Sequence, residues 1–270
     1  MRLILASASP RRAELLRRLN AEFDIEISGA DETIGADEDE RLAVMDIARR
    51  KAVVVAERLK AEWLEAERRA AERRIYEQHA YDRRKAERRV YERLAVDLPT
   101  VERRAVERRA VERRVYERQA DDWQGEEDWG NTSVGLLTAE TIIIGADTVV
   151  IAPNGERLGK PIDRADAKRM LKSLSGKWHM VHTGLALVCA GSGREIMEVE
   201  TTEVKFCEID DSMIERYLTT GEFADKAGAY AIQGCGAVLV ESIFGCYFNV
   251  MGLPISKLAS MLRNCGYMFF

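Results

Sequence analysis

The stretch Leu3-Ile4-Leu5-Ala6-Ser7-Ala8-Ser9-Pro10-Arg11-Arg12 decides how the chain is read. Residues 3–6 are a short apolar run with strand character. Ser9 stands where a helix N-cap belongs. Pro10 fits the first helical position, because its missing N–H is one that a helix start leaves unbonded anyway. Ala13, Leu15, Leu16 and Leu19 then mark one apolar helical face, and Asn20 suits the helix end. A strand that turns into a helix start aims backbone N–H groups and a positive dipole end at one point, which is a ready anion site. Arg11 and Arg12 add forked donors matched to phosphate oxygens. The ordinary alternative is a capped helix with two solvated arginines, and this segment alone does not choose.

Working outward, Phe23-Asp24-Ile25-Glu26-Ile27 alternates like a strand, and Asp31-Glu32-Thr33 reads as a polar loop. Leu42, Ala43, Met45, Ile47, Ala48, Ala52 and Val55 predict a helix that carries Lys51. Much later, Thr141 to Ile144 predict a buried strand ending at Asp147, and Pro153-Asn154-Gly155-Glu156 is a hairpin signal. Asp163 is placed to cap a helix through Met170, Leu171 and Leu174 that Gly176 ends. Strands are expected at Val181–Ala190 and Ile196–Phe206, with a short helix at Ser212–Leu218. Ala237–Val240 and Tyr247–Val250 look strand-like, and Pro254 opens a last helix through Leu258 and Leu262. Strands and helices mix without a clean β-α-β rhythm. That pattern predicts an α/β protein with a mixed, partly antiparallel sheet.

Residues 57–122 differ in kind. A five-residue repeat runs through Val101-Glu102-Arg103-Arg104-Ala105, Val106-Glu107-Arg108-Arg109-Ala110 and Val111-Glu112-Arg113-Arg114-Val115, with looser copies from Ala66 onward. Alanine, glutamate and arginine favour helix. A five-residue period nevertheless advances about 140° per repeat on a helix, so the apolar positions wander round the cylinder and form no core stripe. Two exposed, charge-laced helices of marginal order, broken near Pro99, are expected. The division is therefore a discontinuous globular domain of residues 1–56 and 141–270, a repeat insertion at 57–122, and a flexible linker at 123–140.

Composition narrows the function. Charged residues make up 32% of the chain, with the excess over an average protein in the repeat, while the net charge of −5 argues against a dedicated nucleic-acid binder. Across residues 57–122 the acidic side chains offset most of the basic ones, which weakens an RNA-binding reading. No apolar run approaches a membrane span, and no signal-peptide pattern opens the chain. Cys189, Cys207, Cys235, Cys246 and Cys265 form no C-x-x-C pair and read as reduced thiols filling the core of a cytoplasmic protein. His79 is expected in solvent. His179 and His182, three apart on a strand, are expected on opposite faces. There is no zinc-site spacing, P-loop, dinucleotide turn or nucleophile elbow.

The remaining polar residues form a phosphate kit. Asp147 follows an apolar run, where a carboxylate is costly unless it has a partner or a task. It can bind Mg²⁺, orient and deprotonate water, or simply cap a turn. Glu32 is a second possible metal oxygen. Lys51, Lys160 and Lys226 are candidate charge partners for a triphosphate, with Lys160 held between Gly159 and Pro161. Gln233 offers an amide suited to a base edge.

Taken together these pieces resemble the Maf-type nucleoside triphosphate pyrophosphatases, also described as septum-formation inhibitor proteins. The resemblance covers residues 1 to about 56 and about 141 to 265. It rests on Ser7-Ala8-Ser9-Pro10-Arg11-Arg12, Asp31-Glu32-Thr33, Ala48–Ala52 around Lys51, Gly145–Val150, Gly159-Lys160-Pro161, Leu174-Ser175-Gly176 with His179 and Thr183-Gly184, Gly221-Glu222, Asp225–Gly234 and Asn249–Pro254. It implies a mixed α/β sheet in two lobes around a cleft, and metal-dependent (Mg²⁺ or Mn²⁺) hydrolysis of a nucleoside triphosphate to monophosphate and pyrophosphate. By similarity Asp147 is the proton acceptor, with Ser7, Arg11, Arg12, Glu32, Lys51, Lys160 and Gln233 lining the site. Arg11, Thr148 and Gln233 match the dTTP/UTP-selective branch. Glu32 and Asp147 are the candidate metal ligands. The departure from the family is the insert, roughly 80 residues in place of a short link. The alternative function is a nucleotide-binding regulator of cell division, with the insert as a surface for an unknown protein. A homodimer is a further expectation.

Overall fold

The computed structural model describes residues 1–35, 38–96 and 141–269. The chain divides into two units, Met1–Leu59 with Leu137–Phe270, and Lys60–Leu136.

In the first unit, strand β1 (Arg2–Leu5) leads into helix α1 (Pro10–Arg18) and strand β2 (Phe23–Ile25). Helix α2 (Glu40–Val96) follows, then β3 (Thr141–Ile151), β4 (Arg157–Leu158), α3 (Arg164–Leu174), β5 (Trp178–Cys189) and β6 (Glu195–Phe206). Helix α4 (Asp211–Thr219), two 3₁₀ turns (Ala227–Ala229 and Gly234–Leu239), β7 (Val240–Phe244), α5 (Tyr247–Val250) and α6 (Ile255–Asn264) complete it. One seven-stranded sheet has the order β2-β1-β3-β5-β6-β7, with β4 on β3. β2, β1 and β3 are parallel, and β3, β5, β6 and β7 are antiparallel. This is the expected mixed α/β sheet.

Local chemistry accounts for most boundaries. Pro10 is the first residue of α1, and Asn20 closes that helix with a φ of 53°. Asp163 caps α3 by accepting from the Asp166 N–H, and Gly176 takes a φ of 65° just past its end. The hairpin at Pro153–Glu156 joins β3 to β4. Ser9 occupies the N-cap of α1, as expected, although its side chain makes no capping bond. Four expectations are corrected. Residues 237–240 are mostly 3₁₀ turn, with the strand beginning at Val240, and 247–250 are helical. A short apolar run has no period long enough to tell strand from turn. Asp147 lies inside β3, which runs on to Ile151. The cysteines are free but half-buried or exposed, not core fillers, although Cys189, Cys207 and Cys265 pack at the core margin.

The sheet has two covered faces. One carries the main core, where Leu3, Leu5, Ile142, Ile144, Leu185, Leu187 and Phe206 meet α1, α3, α4 and α6. On the other, Ile4, Ile143, Ala186 and Val188 meet Ala48, Ala52 and Val55 of α2. The α2 backbone lies directly on the sheet at two glycines. A Cβ at Gly145 would stand 1.9 Å from the Ala48 carbonyl oxygen, and one at Gly184 would stand 2.2 Å from that of Val44.

Within the second unit the described residues are the continuation of α2 to Val96. The helix shows no break where the repeat composition begins. Most of its described side chains are exposed, Leu64, Ile75, Tyr76 and Tyr81 among them, and Glu65 pairs with Arg68 and Arg69, as does Arg73 with Glu77. These neighbours sit three or four residues apart, the spacing that puts side chains on one helix face. His79 is exposed, as expected. Pro99, the rest of the repeat and the 123–140 linker lie outside the described residues. No helix among the described residues is long and apolar enough to cross a membrane.

Candidate active site

One edge of β3 is occupied twice. β1 pairs with residues 141–144 and β4 with 150–151, leaving a gap between them. The chain leaves β1 at this gap, enters the Ser7–Ser9 loop and starts α1, whose Arg12 turns back to fill the space. Ligands of open α/β sheets commonly bind at such carboxyl ends of parallel strands.

Arg12 is buried and makes four hydrogen bonds. Nε donates to the Gly252 carbonyl at 2.8 Å. Nη1 donates to Ser7 Oγ at 3.1 Å and to the Ala146 carbonyl at 2.9 Å. Nη2 donates to Thr148 Oγ1 at 3.0 Å. Burial pulls its pKa below the usual arginine value, and the nearby Asp147 carboxylate opposes that shift. Gly252 takes a left-handed φ of 101°, which side-chain-bearing residues rarely adopt, and it is this conformation rather than lack of space that suits glycine there.

Asp147 alternates with Thr148 along β3 and so faces α2. There Lys51, itself buried, donates from Nζ to Asp147 Oδ1 at 2.7 Å and to Glu32 Oε1 at 2.8 Å. Burial alone would raise the Glu32 carboxyl. Lys51 outweighs it, with Lys160 and Arg12 adding to the effect, and holds the group below the ordinary glutamate value. The buried ammonium therefore sits between two carboxylates, with two further cations close enough to be felt. Lys160 is exposed at the rim.

The segment after Asp225 borders this site. Its Gly228 N–H donates to the Gly159 carbonyl at 3.1 Å, beside Lys160. The segment is pinned from behind. The Ala231 N–H donates to Tyr217 Oη at 3.2 Å, Tyr230 Oη pairs with His179 Nε2 at 2.9 Å, and Glu222 accepts from the Cys235 and Gly236 N–H groups. His182 instead pairs with Thr201 on β6. Arg11 faces the segment. Burial lowers its pKa, and Asp225 and Tyr217 counter that. Lys226 pairs with Asp225 rather than with the carboxylate site. Gln233 is half-buried at the start of the second 3₁₀ turn and makes no hydrogen bond to the other candidates.

The candidates thus fall into two contacting groups. Ser7, Arg12 and Thr148 form one, and Glu32, Lys51 and Asp147 the other, with Lys160 near the second and Arg11 and Gln233 on or facing the 225–234 segment. Sequence reasoning missed Thr183 and Asn249. Thr183 Oγ1 contacts Thr148 and donates to the Asn249 carbonyl, while Asn249 Nδ2 donates to the Val181 carbonyl and Thr202 Oγ1. Their motifs were visible, but nothing local says that a threonine on β5 reaches Thr148.

No group of three or more His, Cys, Asp or Glu side chains at metal spacing occurs among the described residues. Glu32 and Asp147 instead supply two hard oxygen donors held at one cation. That set fits Mg²⁺, which commonly takes one or two carboxylates and completes its shell with phosphates and water.

Fold and site define a mixed α/β protein with a cluster of cationic side chains arranged around an acidic pair near the carboxyl end of a parallel strand. The chain belongs to the Maf-like protein family, whose pattern it matches over residues 2–265. It is 33% identical over 264 residues to the dTTP/UTP pyrophosphatase of Desulforamulus reducens, covering 98% of this chain and 96% of that protein. The dTTP/UTP pyrophosphatase of Acetivibrio thermocellus is 34% identical over 266 residues, with the same coverage. That of Clostridium botulinum is 50% identical over 125 residues, 46% of this chain and 64% of the relative.

Proposed function

We propose that this chain hydrolyses dTTP and UTP to the nucleoside monophosphate and pyrophosphate, and so helps clear the nucleotide pool of the cytoplasm. The observation that carries the reading is the Glu32–Lys51–Asp147 array, with Lys51 Nζ at 2.8 and 2.7 Å from the two carboxylates. The names of the relatives support the substrate.

Water attacks the α-phosphorus, the bond to the bridging α–β oxygen breaks, and pyrophosphate leaves. Asp147 takes the proton of the attacking water. Its Oδ1 is engaged by Lys51, and Oδ2 makes no hydrogen bond among the described residues. Lys51, Lys160 and Arg12 supply positive charge where negative charge develops on the leaving pyrophosphate. Ser7 and Arg11 hold phosphate oxygens, and Arg11, Thr148 and Gln233 select the nucleotide. Glu32 and Asp147 would hold Mg²⁺ or Mn²⁺, which when bound neutralises phosphate charge and lowers the pKa of a bound water. No observation favours the cell-division regulator instead.

The test is pyrophosphate release from a panel of nucleoside triphosphates with Mg²⁺ or Mn²⁺, wild type beside Asp147→Asn. Release from dTTP and UTP that the variant loses is the expected result. No release from any nucleotide would overturn the reading.

A further inference from the structure

The hydroxyl groups around Arg12 are sorted by direction. A hydroxyl has one proton to donate and two lone pairs to accept with. Ser7 Oγ accepts from Arg12 Nη1 at 3.1 Å and from the Ser9 N–H at 3.2 Å. Both lone pairs are used, and its proton has no acceptor among the described residues.

Thr148 is the reverse case. Thr183, fully buried, donates its proton to the Asn249 carbonyl at 3.1 Å, an oxygen that can only accept. The Thr148 and Thr183 oxygens lie 3.0 Å apart, and since the Thr183 proton is already spent, Thr148 is the donor between them. Thr148 Oγ1 also accepts from Arg12 Nη2 at 3.0 Å. It therefore keeps one lone pair and no proton.

We propose that Thr183 is a positioning residue that fixes this direction, so that substrate meets Ser7 as a donor and Thr148 only as an acceptor. The proposal rests on the nucleotide reading above and deepens it. Phosphate oxygens accept hydrogen bonds, so they suit Ser7 and gain nothing from Thr148. Thr148 is matched to a proton-bearing group of the nucleotide. Two such groups share that chemistry: the ring N3–H of thymine or uracil, which the corresponding cytosine nitrogen lacks, and a sugar hydroxyl. A site built to bond one hydrogen-bonding group rejects an analogue without it far more strongly than a size difference would allow.

The experiment measures kcat/KM for dTTP, dCTP and the 3′-deoxy analogue of dTTP in wild type, Thr183→Ser, Thr183→Val and Thr183→Ala, with folding checked by circular dichroism. Thr183→Ser keeps the hydroxyl and should hold both substrate ratios within about twofold of wild type. Thr183→Val frees the Thr148 proton and should lower one ratio by about tenfold or more. A fall in dTTP over dCTP assigns the ring N–H, and a fall in dTTP over its 3′-deoxy analogue assigns the sugar hydroxyl. If the valine variant does not fold, Thr183→Ala carries the comparison. Unchanged ratios in the folded variant, or a wild type that cleaves dTTP with no preference in either ratio, overturn the proposal and leave the hydrolase reading intact. A wild type that cleaves none of the three overturns the functional reading and the proposal with it.

Discussion

At the scale of single residues, Arg12 illustrates how one side chain serves structure and site together. Its planar fork reaches two carbonyls and two hydroxyls on separate elements, a geometry that a lysine ammonium cannot copy. Arg12→Lys should therefore lower stability by about 2–4 kcal/mol in urea denaturation, since buried acceptors lose their donors. It should lower kcat/KM as well. Asp147→Asn tests a narrower role. It should reduce kcat by a factor of about 10²–10⁴, the usual span for loss of a general base, while nucleotide binding measured by calorimetry persists. Loss of binding in parallel with kcat would point to a mainly electrostatic role for the carboxylate.

At the scale of elements, the position of Lys51 depends on how closely α2 approaches the sheet. The helix can lie against β3 and β5 because Gly145 and Gly184 have no side chains there, and the Ala48 carbonyl takes the place a Cβ at 145 would need. Gly145→Ala must push the helix outward and draw Lys51 from Asp147. The expected cost is about 1–3 kcal/mol, as for other overpacked sites, with a drop in kcat larger than that of a surface control such as Glu241→Ala. Thermal melts and steady-state rates on the same samples check both. An unchanged rate in a folded Gly145→Ala would mean that the Lys51–Asp147 contact does not need this close approach.

At the scale of the whole molecule, one buried base ties stability to pH. His179 is buried, with its Nδ1 lacking a partner among the described residues, and burial lowers its pKa from 6.5 to about 4. The folded chain holds it neutral, so between those values the unfolded chain binds the extra proton. Stability is thus fully present above about pH 6.5 and declines as the pH falls toward about 4, by roughly 3 kcal/mol at 1.4 kcal/mol per unit. Chemical denaturation at pH 7, 5.5 and 4 should show a flatter dependence in His179→Gln than in wild type. An identical slope would assign the acid sensitivity to other groups. We also expect the insertion to be separable from catalysis. Replacing residues 60–136 with a short flexible linker should leave kcat/KM for dTTP within about threefold, because long surface insertions cost little closure entropy. Loss of the folded state on deletion would show that the first unit depends on it.

The linear sequence already determined the elements with strong local chemistry. Pro10 and Asn20 bound α1, Asp163 and Gly176 bound α3, and the long apolar runs became β3 and β5. Residue types chosen for phosphate chemistry also pointed to the site, since buried or clustered charge is too costly to occur without a partner. What only the tertiary structure decided is the pairing. Lys51 and Asp147 are 96 residues apart and Arg12 and Gly252 are 240 apart. No propensity or period carries information about which distant groups will meet. The continuation of β3 through Asp147, the 3₁₀ turn at 234–239 and the Thr148–Thr183–Asn249 chain were hidden for the same reason. Each is set by packing and by backbone groups seeking partners across the sheet, and local sequence records the need for a partner without naming it.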